Sequence, residues 1–427
     1  MNFKSVLGFS FLTACSTPAG PMVSVFDSGA RETSVVLDAV VDRGVERDVL
    51  VEDRFVPPQD SGRDASRDLG MELSDAVDIV DVPMEVAVDV PADVPVATTR
   101  AARDLGVSLP CQPTEIDYFS DSGQYLLGLC TGRQFFQVSS PLTTPRVTLR
   151  RELAPIPAEE LRDIVSTTDL SGVVVGASSV YQIDTDSSGT NVRLTFSAGH
   201  FLSGNGVYVA VGTQRKFYAA TFYSDATYTD GEILAYDVST SGALIARRSS
   251  LPDGGVTHQH VSVSGRPVGM AVSQASPVSE VVVLTTNRPS LMRINPITDA
   301  TLFGRMLPAD VRPIDQSELP MTVDGRFVVF GNQDGRLVIV DRNVTPSTSS
   351  DGVRFISIPG VSQITDVRVS NNRAYVSTAT GTVYVISIPE GTLQETITTG
   401  SSMITAAEIA GSNIIFSGGG RLYAASL

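Results

Sequence analysis

Near its C-terminus the chain repeats one unit three times, and that unit leaves few folds open. A strand, a Gly- or Asn-bearing turn and a second strand recur in close succession. Asp324–Gly331 turns at Gln333-Asp334-Gly335 into Arg336–Asp341; Asn371–Ser377 turns at Thr380-Gly381 into Thr382–Ser387; Gly411–Ser417 turns at Gly418-Gly419-Gly420 into Arg421–Ser426. Weaker copies occupy Gly123–Val138, Ser171–Asp184, Gly206–Val238 and Glu280–Asn295. Anchored on the first strand of each pair, the copies fall at Tyr125, Val174, Tyr208, Val282, Val328, Tyr375 and Ile414, with gaps of 49, 34, 74, 46, 47 and 39 residues. Apart from the 74, these spacings match the ~40–50 residues of a four-stranded propeller blade. Runs such as Val281-Val282-Val283-Leu284 suit strands covered on both faces by neighbouring blades. The expectation is an all-β propeller of seven blades. Eight blades stay open because of the long gap, and an array of β-sandwiches is the competing fold.

Composition agrees with strands rather than helices. Hydrophobic residues make up 42% of the chain and charged ones 18%, and there is no Trp. The net charge of −16 is uneven. Residues 16–100 hold 18 acidic against 7 basic side chains, whereas residues 101–427 are close to balance, with 29 against 23. Phosphate backbones need a basic footprint, so nucleic acid is excluded as a partner.

The acidic part reads as a tether over residues 15–104. Val80–Pro91 alternates Val with acid at a strand-like period. Pro83, Pro91 and Pro95 each remove a ladder donor, and the stretch has too little apolar surface to offset the entropy of ordering. A disordered spacer of this length has an r.m.s. reach of roughly 50 Å, lengthened by charge repulsion.

Residues 1–14 read as a signal peptide: Lys4, then an apolar run from Val6 to Leu12 that is too short to span a bilayer. The run ends in Leu12-Thr13-Ala14-Cys15, which resembles the lipobox of bacterial lipoproteins. That resemblance implies cleavage before Cys15, lipidation of its sulfur, and membrane attachment through the lipid anchor alone. Ser16, rather than Asp, implies an outer-membrane lipoprotein facing the periplasm or the surface. With Cys15 so used, Cys111 and Cys130 remain as a pair for a disulfide in an oxidising compartment. Two unpaired buried cysteines are the alternative.

Within residues 105–427 the phrases Ala374-Tyr375-Val376-Ser377 and Thr382-Val383-Tyr384-Val385 resemble YVTN- and WD-repeat-like propellers, without any Gly-His…Trp-Asp signature. In such rings a strand missing at the C-terminus is commonly supplied from the N-terminal end. The chain ends after a third strand, and Gly106–Leu109 is placed to supply the fourth. A Cys111–Cys130 bond would then staple the closure to the first blade.

Marks of catalysis are sparse. Gly199–Gly204 lacks the spacing of a hydrolase elbow, and no Gly-rich phosphate loop opens a helix. His258-x-His260, with His200 as the only other histidine, is too thin to carry a metal site, so neither metal nor cofactor is expected. Residues 213–230 hold five aromatics, Phe217, Tyr218, Phe222, Tyr223 and Tyr228. Read as an insertion beside His258, they form the candidate recognition face, since buried aromatics anchor interfaces; a hairpin packing its rings on itself is the alternative. The functional expectation is a non-enzymatic, envelope-anchored module that binds an envelope or surface protein or a glycan. A lactonase- or lyase-like enzyme with its site in the central channel is the other reading. Carboxylates converging in the channel would favour the enzyme, and an apolar or Ser/Thr lining would favour binding.

Overall fold

Val328 and Val329 are adjacent, fully buried and in different cores. Val328 and Phe330 pack with Val282, Leu284, Val338 and Val340, while Phe327 and Val329 pack with Ile364, Val367, Ala374 and Val376. A strand alternates its side chains between two faces, so a run apolar at every position needs a neighbour on both sides. Blades packed face to face meet that need, and the computed structural model has this arrangement. It describes residues 97–427 except 121–122, 132, 154–159, 169–170, 185–191, 196–199, 224–230, 247, 251–255, 264, 274–278, 287–288 and 314–319. Cys15, the signal peptide and residues 15–96 of the proposed tether lie outside the described residues.

Seven sheets make the ring. Their inner strands are Pro113–Phe119, Leu161–Thr168, His200–Val211, Arg266–Ser273, Met321–Asp324, Ile364–Ser370 and Ala406–Ala410, for blades one to seven in order. From each, the chain runs outward through antiparallel neighbours. Blade six, for example, continues through Arg373–Thr378, Thr382–Ser387 and Leu393–Thr398. Its first hairpin turns on Asn371 and Asn372, both at positive φ (53° and 58°), as a two-residue turn matched to strand twist requires.

Blade seven has only three strands of its own sequence after residue 405. Its fourth is Arg103–Ser108, antiparallel to Arg421–Ser426. Val107 of this strand lies in a core shared with Ile415 and Leu422 of blade seven and with Ile116, Leu126 and Phe136 of blade one. Arg421 pairs with Asp104 at 2.7 Å, and the Leu109 amide donates to the Gly420 carbonyl at 2.9 Å. Just beyond, a disulfide joins Cys111 to Cys130, their Cα atoms 6.1 Å apart. The closing strand therefore starts three residues before the Gly106 read from sequence.

One more strand precedes it. Thr98–Ala101 runs parallel to Leu393–Thr398 as a fifth strand on blade six, with Arg100 paired to Glu395 at 2.6 Å. Among the described residues the first strand is thus Thr98–Ala101, which falls inside the stretch 15–104 read as tether because it finds a sheet edge to pair with.

The long gap has a structural cause. Six of the seven anchors lie on second strands, but Tyr208 lies on the inner strand of blade three, His200–Val211. The second strand of that blade is Gln214–Tyr223, so Tyr218 is the counterpart of the other anchors. Residues 214–223 are accordingly a regular strand and not an insertion. The surplus length falls farther out, where Leu244–Ala246, Arg248–Ser250 and Val256–Val263 build an enlarged outer edge.

Candidate functional site

Of the aromatic face expected at residues 213–230, Phe217 and Tyr218 are core residues rather than surface ones. Tyr218 is fully buried among Val207, Val209, Ile233 and Val261, and its hydroxyl donates to Asp299 Oδ1 at 2.6 Å. The buried Lys216 ammonium donates to both oxygens of the same carboxylate at 2.7 Å. This network ties the second strand of blade three to the turn before the outer strand of blade four, so Tyr218 is a core residue. Burial on the two faces of the strand, rather than exposure, accounts for Phe217 and Tyr218. Phe222 and Tyr223 continue the strand, paired with His200 and Phe201 on one side, but their side chains lie outside the described residues, as does all of Tyr228. His258 and His260 sit within the outer strand Val256–Val263 of the same blade, not in a connection to the next; their side chains also lie outside the described residues.

The central channel is the better site. A cavity of about 420 Å³ opens there, lined by all seven blades, blade seven contributing through Glu408 of its inner strand. Its charged residues are Glu115 and Asp117 of blade one, Asp163 of blade two, Asp366 and Arg368 of blade six, and Glu408. Blades six, seven, one and two are consecutive around the ring, so the charges occupy one side of the channel, across the closure seam. The opposite side, from blades three to five, carries no charge among the described residues: Asn205, Tyr208 and Thr322 stand beside the partly exposed Val272 and Val323, while Val207, Met270 and Met321 are packed into the inter-blade cores. One channel thus has an acidic side and an uncharged side.

Arg368 organises the acidic wall. Its guanidinium pairs with Asp366 at 3.0 Å, Glu408 at 3.0 Å and Glu115 at 3.3 Å, reaching from blade six over blade seven to blade one. The three aspartates also clasp neighbouring blades. Asp117 accepts from the Ser166 amide at 2.5 Å, Asp163 from the Gly206 amide at 2.7 Å, and Asp366 from the Ala407 amide at 2.6 Å. In each case an acid on one inner strand satisfies a backbone donor on the next.

Five carboxylates against one guanidinium leave four negative charges in excess when all are ionised. Burial is the main force on their titration, raising Asp117 and Asp163 to about 6 and Glu408 to about 7, although backbone amides and Arg368 oppose it. Asp366 is raised for the same reason. Burial disfavours the Arg368 charge, yet Asp366, Glu408 and Glu115 outweigh it and hold the guanidinium above its ordinary range. Three further polar side chains, Ser166, Asn205 and Thr365, line the same cavity, and Ser166 also helps to hold the Asp117 carboxylate. Among the described residues, no group of three or more His, Cys, Asp or Glu is arranged to hold a metal ion.

No family profile matches the sequence, and no curated protein matches it either. Solved structures do resemble the fold. The crystal structure of BBS1N in complex with ARL6DN, soaked with mercury, is similar with a TM-score of 0.53 and 12% identity, covering 78% of this chain and 98% of that one. The same complex soaked with lead gives 0.51 and 13%, with the same coverage. At such identity the likeness is one of fold alone.

Proposed function

We propose that this protein is a lipid-anchored propeller of the cell envelope that binds its partner by taking a cationic group on an apolar stem, such as a lysine side chain of a surface protein, into the central channel. One observation carries the reading: the channel sets an acidic side, in excess of its single arginine, against an uncharged side where Val272 and Val323 are partly exposed. A free ammonium replaces missing positive charge on the first side while its methylene stem covers the second. That BBS1N was crystallised in complex with a protein supports the use of such a ring as a binding platform. The Leu12-Thr13-Ala14-Cys15 motif supports the anchor, and the acidic segment after it supports a long leash.

The two parts are tested separately. Cys15→Ala is expected to move the protein from the membrane fraction into the soluble envelope fraction; continued sedimentation with membranes would refute lipidation. A lysine-rich peptide is expected to bind the purified protein at neutral pH and low salt, and to bind Glu115→Gln/Glu408→Gln at least about tenfold more weakly, given the strength of close charge pairs. Equal binding by both proteins would remove the channel as the site.

The enzyme reading has one specific observation in its favour. Glu408, near half-protonated at neutrality and facing an open cavity, has the poise of a general acid–base group. The binding reading is preferred because Asp117, Asp163 and Asp366 already spend oxygens on the amides of adjacent blades. Turnover of lactones or uronate glycans that disappears in Glu408→Gln would reverse that preference.

A further inference from the structure

We infer that the channel is a proton-operated release site: mild acid discharges its cationic ligand and at the same time tightens the ring. The inference rests on the cation-binding reading above and adds its regulation.

The geometry is that of a crowded charge store. Four consecutive blades send acids toward one guanidinium, and three of those acids double as inter-blade hydrogen-bond acceptors. Facing them from blade one is also Tyr118, whose phenol burial raises, and from blade three Tyr208; the phenol of Tyr118 stays neutral throughout mild acid. Blades four and five contribute no charged group to the wall. Among the described residues no second cation lines the cavity, and the excess negative charge is relieved by a bound cation or by protons. These two compete for the same carboxylates, and linkage makes the competition reciprocal.

The sign of the stability effect follows from the direction of the shifts. Asp117, Asp163, Asp366 and Glu408 all have folded-state values raised above those of an unfolded chain. The folded ring therefore takes up protons first as pH falls, and its stability grows from about pH 7 downward, becoming complete only below the unfolded carboxylate range near 4. A protonated carboxyl can keep accepting the neighbouring amide through its carbonyl oxygen, so the clasps survive while the repulsion between acids goes. Exposed acids behave oppositely. Asp351, lowered by hydrogen bonds from Ser347 and Thr348, gives stability that disappears in stronger acid. The expected optimum lies near pH 5, where the channel is neutralised and such surface acids are still ionised.

Hexylammonium is the probe, with hexanol as the neutral control, because the amine keeps its charge across the range. Calorimetric titration of the full chain at pH 7.5 and 5.5 should show affinity for hexylammonium falling about tenfold or more in acid, as several close charges are lost. The melting temperature without probe should be about 5 °C higher at pH 5.5 than at pH 8. In Glu408→Gln the pH dependence of binding should shrink to about threefold. Binding that is equal at the two pH values overturns the inference alone, leaving the cation reading standing. Absence of hexylammonium binding at both pH values overturns the cation reading and the inference with it. Hexanol binding with the same pH dependence also overturns the inference, since charge would then not be what the channel senses.

Discussion

A chain that begins at Leu109, and so lacks the closing strand Arg103–Ser108, should lose roughly 5 kcal/mol of stability or accumulate only as aggregate. The reason is where that strand sits. It completes blade seven through its pairing with Arg421–Ser426, and it places Val107 in a core that blade seven shares with blade one. Without it the third strand of blade seven becomes a bare edge carrying Leu422 and Tyr423, a template for pairing with other chains. A chain beginning at Ala102 is the control. Of the strands it loses only Thr98–Ala101, largely exposed on the rim of blade six, along with residues 1–97, and should melt within about 1 kcal/mol of the longer chain. Both variants carry Cys111→Ser and Cys130→Ser, as does the reference, so that the disulfide does not confuse the comparison. Denaturant melts and size-exclusion profiles give the readout. If the Leu109 chain is as stable and monomeric as the Ala102 chain, the closure is not structural.

The repeat was legible because second and third strands face a blade on both sides, which forces unbroken apolar runs such as Phe327–Gly331 and Leu337–Asp341. Seven sheets of this kind are present. Blade three was misread for the same physical reason. Its inner strand, His200–Val211, carries Tyr208 and Val209 in the style of a second strand, so the turn at Gly212-Thr213 passed for the wrong hairpin and Tyr218 for an exposed ring. The channel acids were not singled out at all, although a signal existed. Asp117, Asp163, Asp366 and Glu408 precede the anchors Tyr125, Val174, Tyr375 and Ile414 by six to eleven residues, each followed by an apolar or aromatic residue. Acids scattered 40 or more residues apart look like solvated decoration in one dimension. Only a closed ring brings them to a single arginine, and no local pattern marks Arg368 as that partner.

Arg368→Met should be the most damaging single substitution in the channel, costing more than about 4 kcal/mol at pH 8, since removing one member of a buried ion pair leaves its partner charged and uncompensated. Here the partners are several. Asp366, Glu408 and Glu115 lose the guanidinium they share, and Asp117 loses a positive charge that opposes its burial. The seam loses its electrostatic bridge as well, because this one guanidinium joins blades six, seven and one. The loss should depend on pH in a defined direction. Without Arg368 the carboxyls titrate higher still, so the variant recovers stability as protons neutralise them, and the gap to the native chain narrows to about half by pH 5. Arg368→Lys separates charge from shape: a single ammonium cannot serve three carboxylates from a planar fork, and an intermediate loss of about 2 kcal/mol is expected. Chemical denaturation of the three proteins at pH 8, 6.5 and 5 measures all of this. A variant Arg368→Met that lies within 1 kcal/mol of the native chain at pH 8, or whose deficit grows as pH falls, would mean that the carboxylates are screened by water in the channel and that Arg368 is no staple.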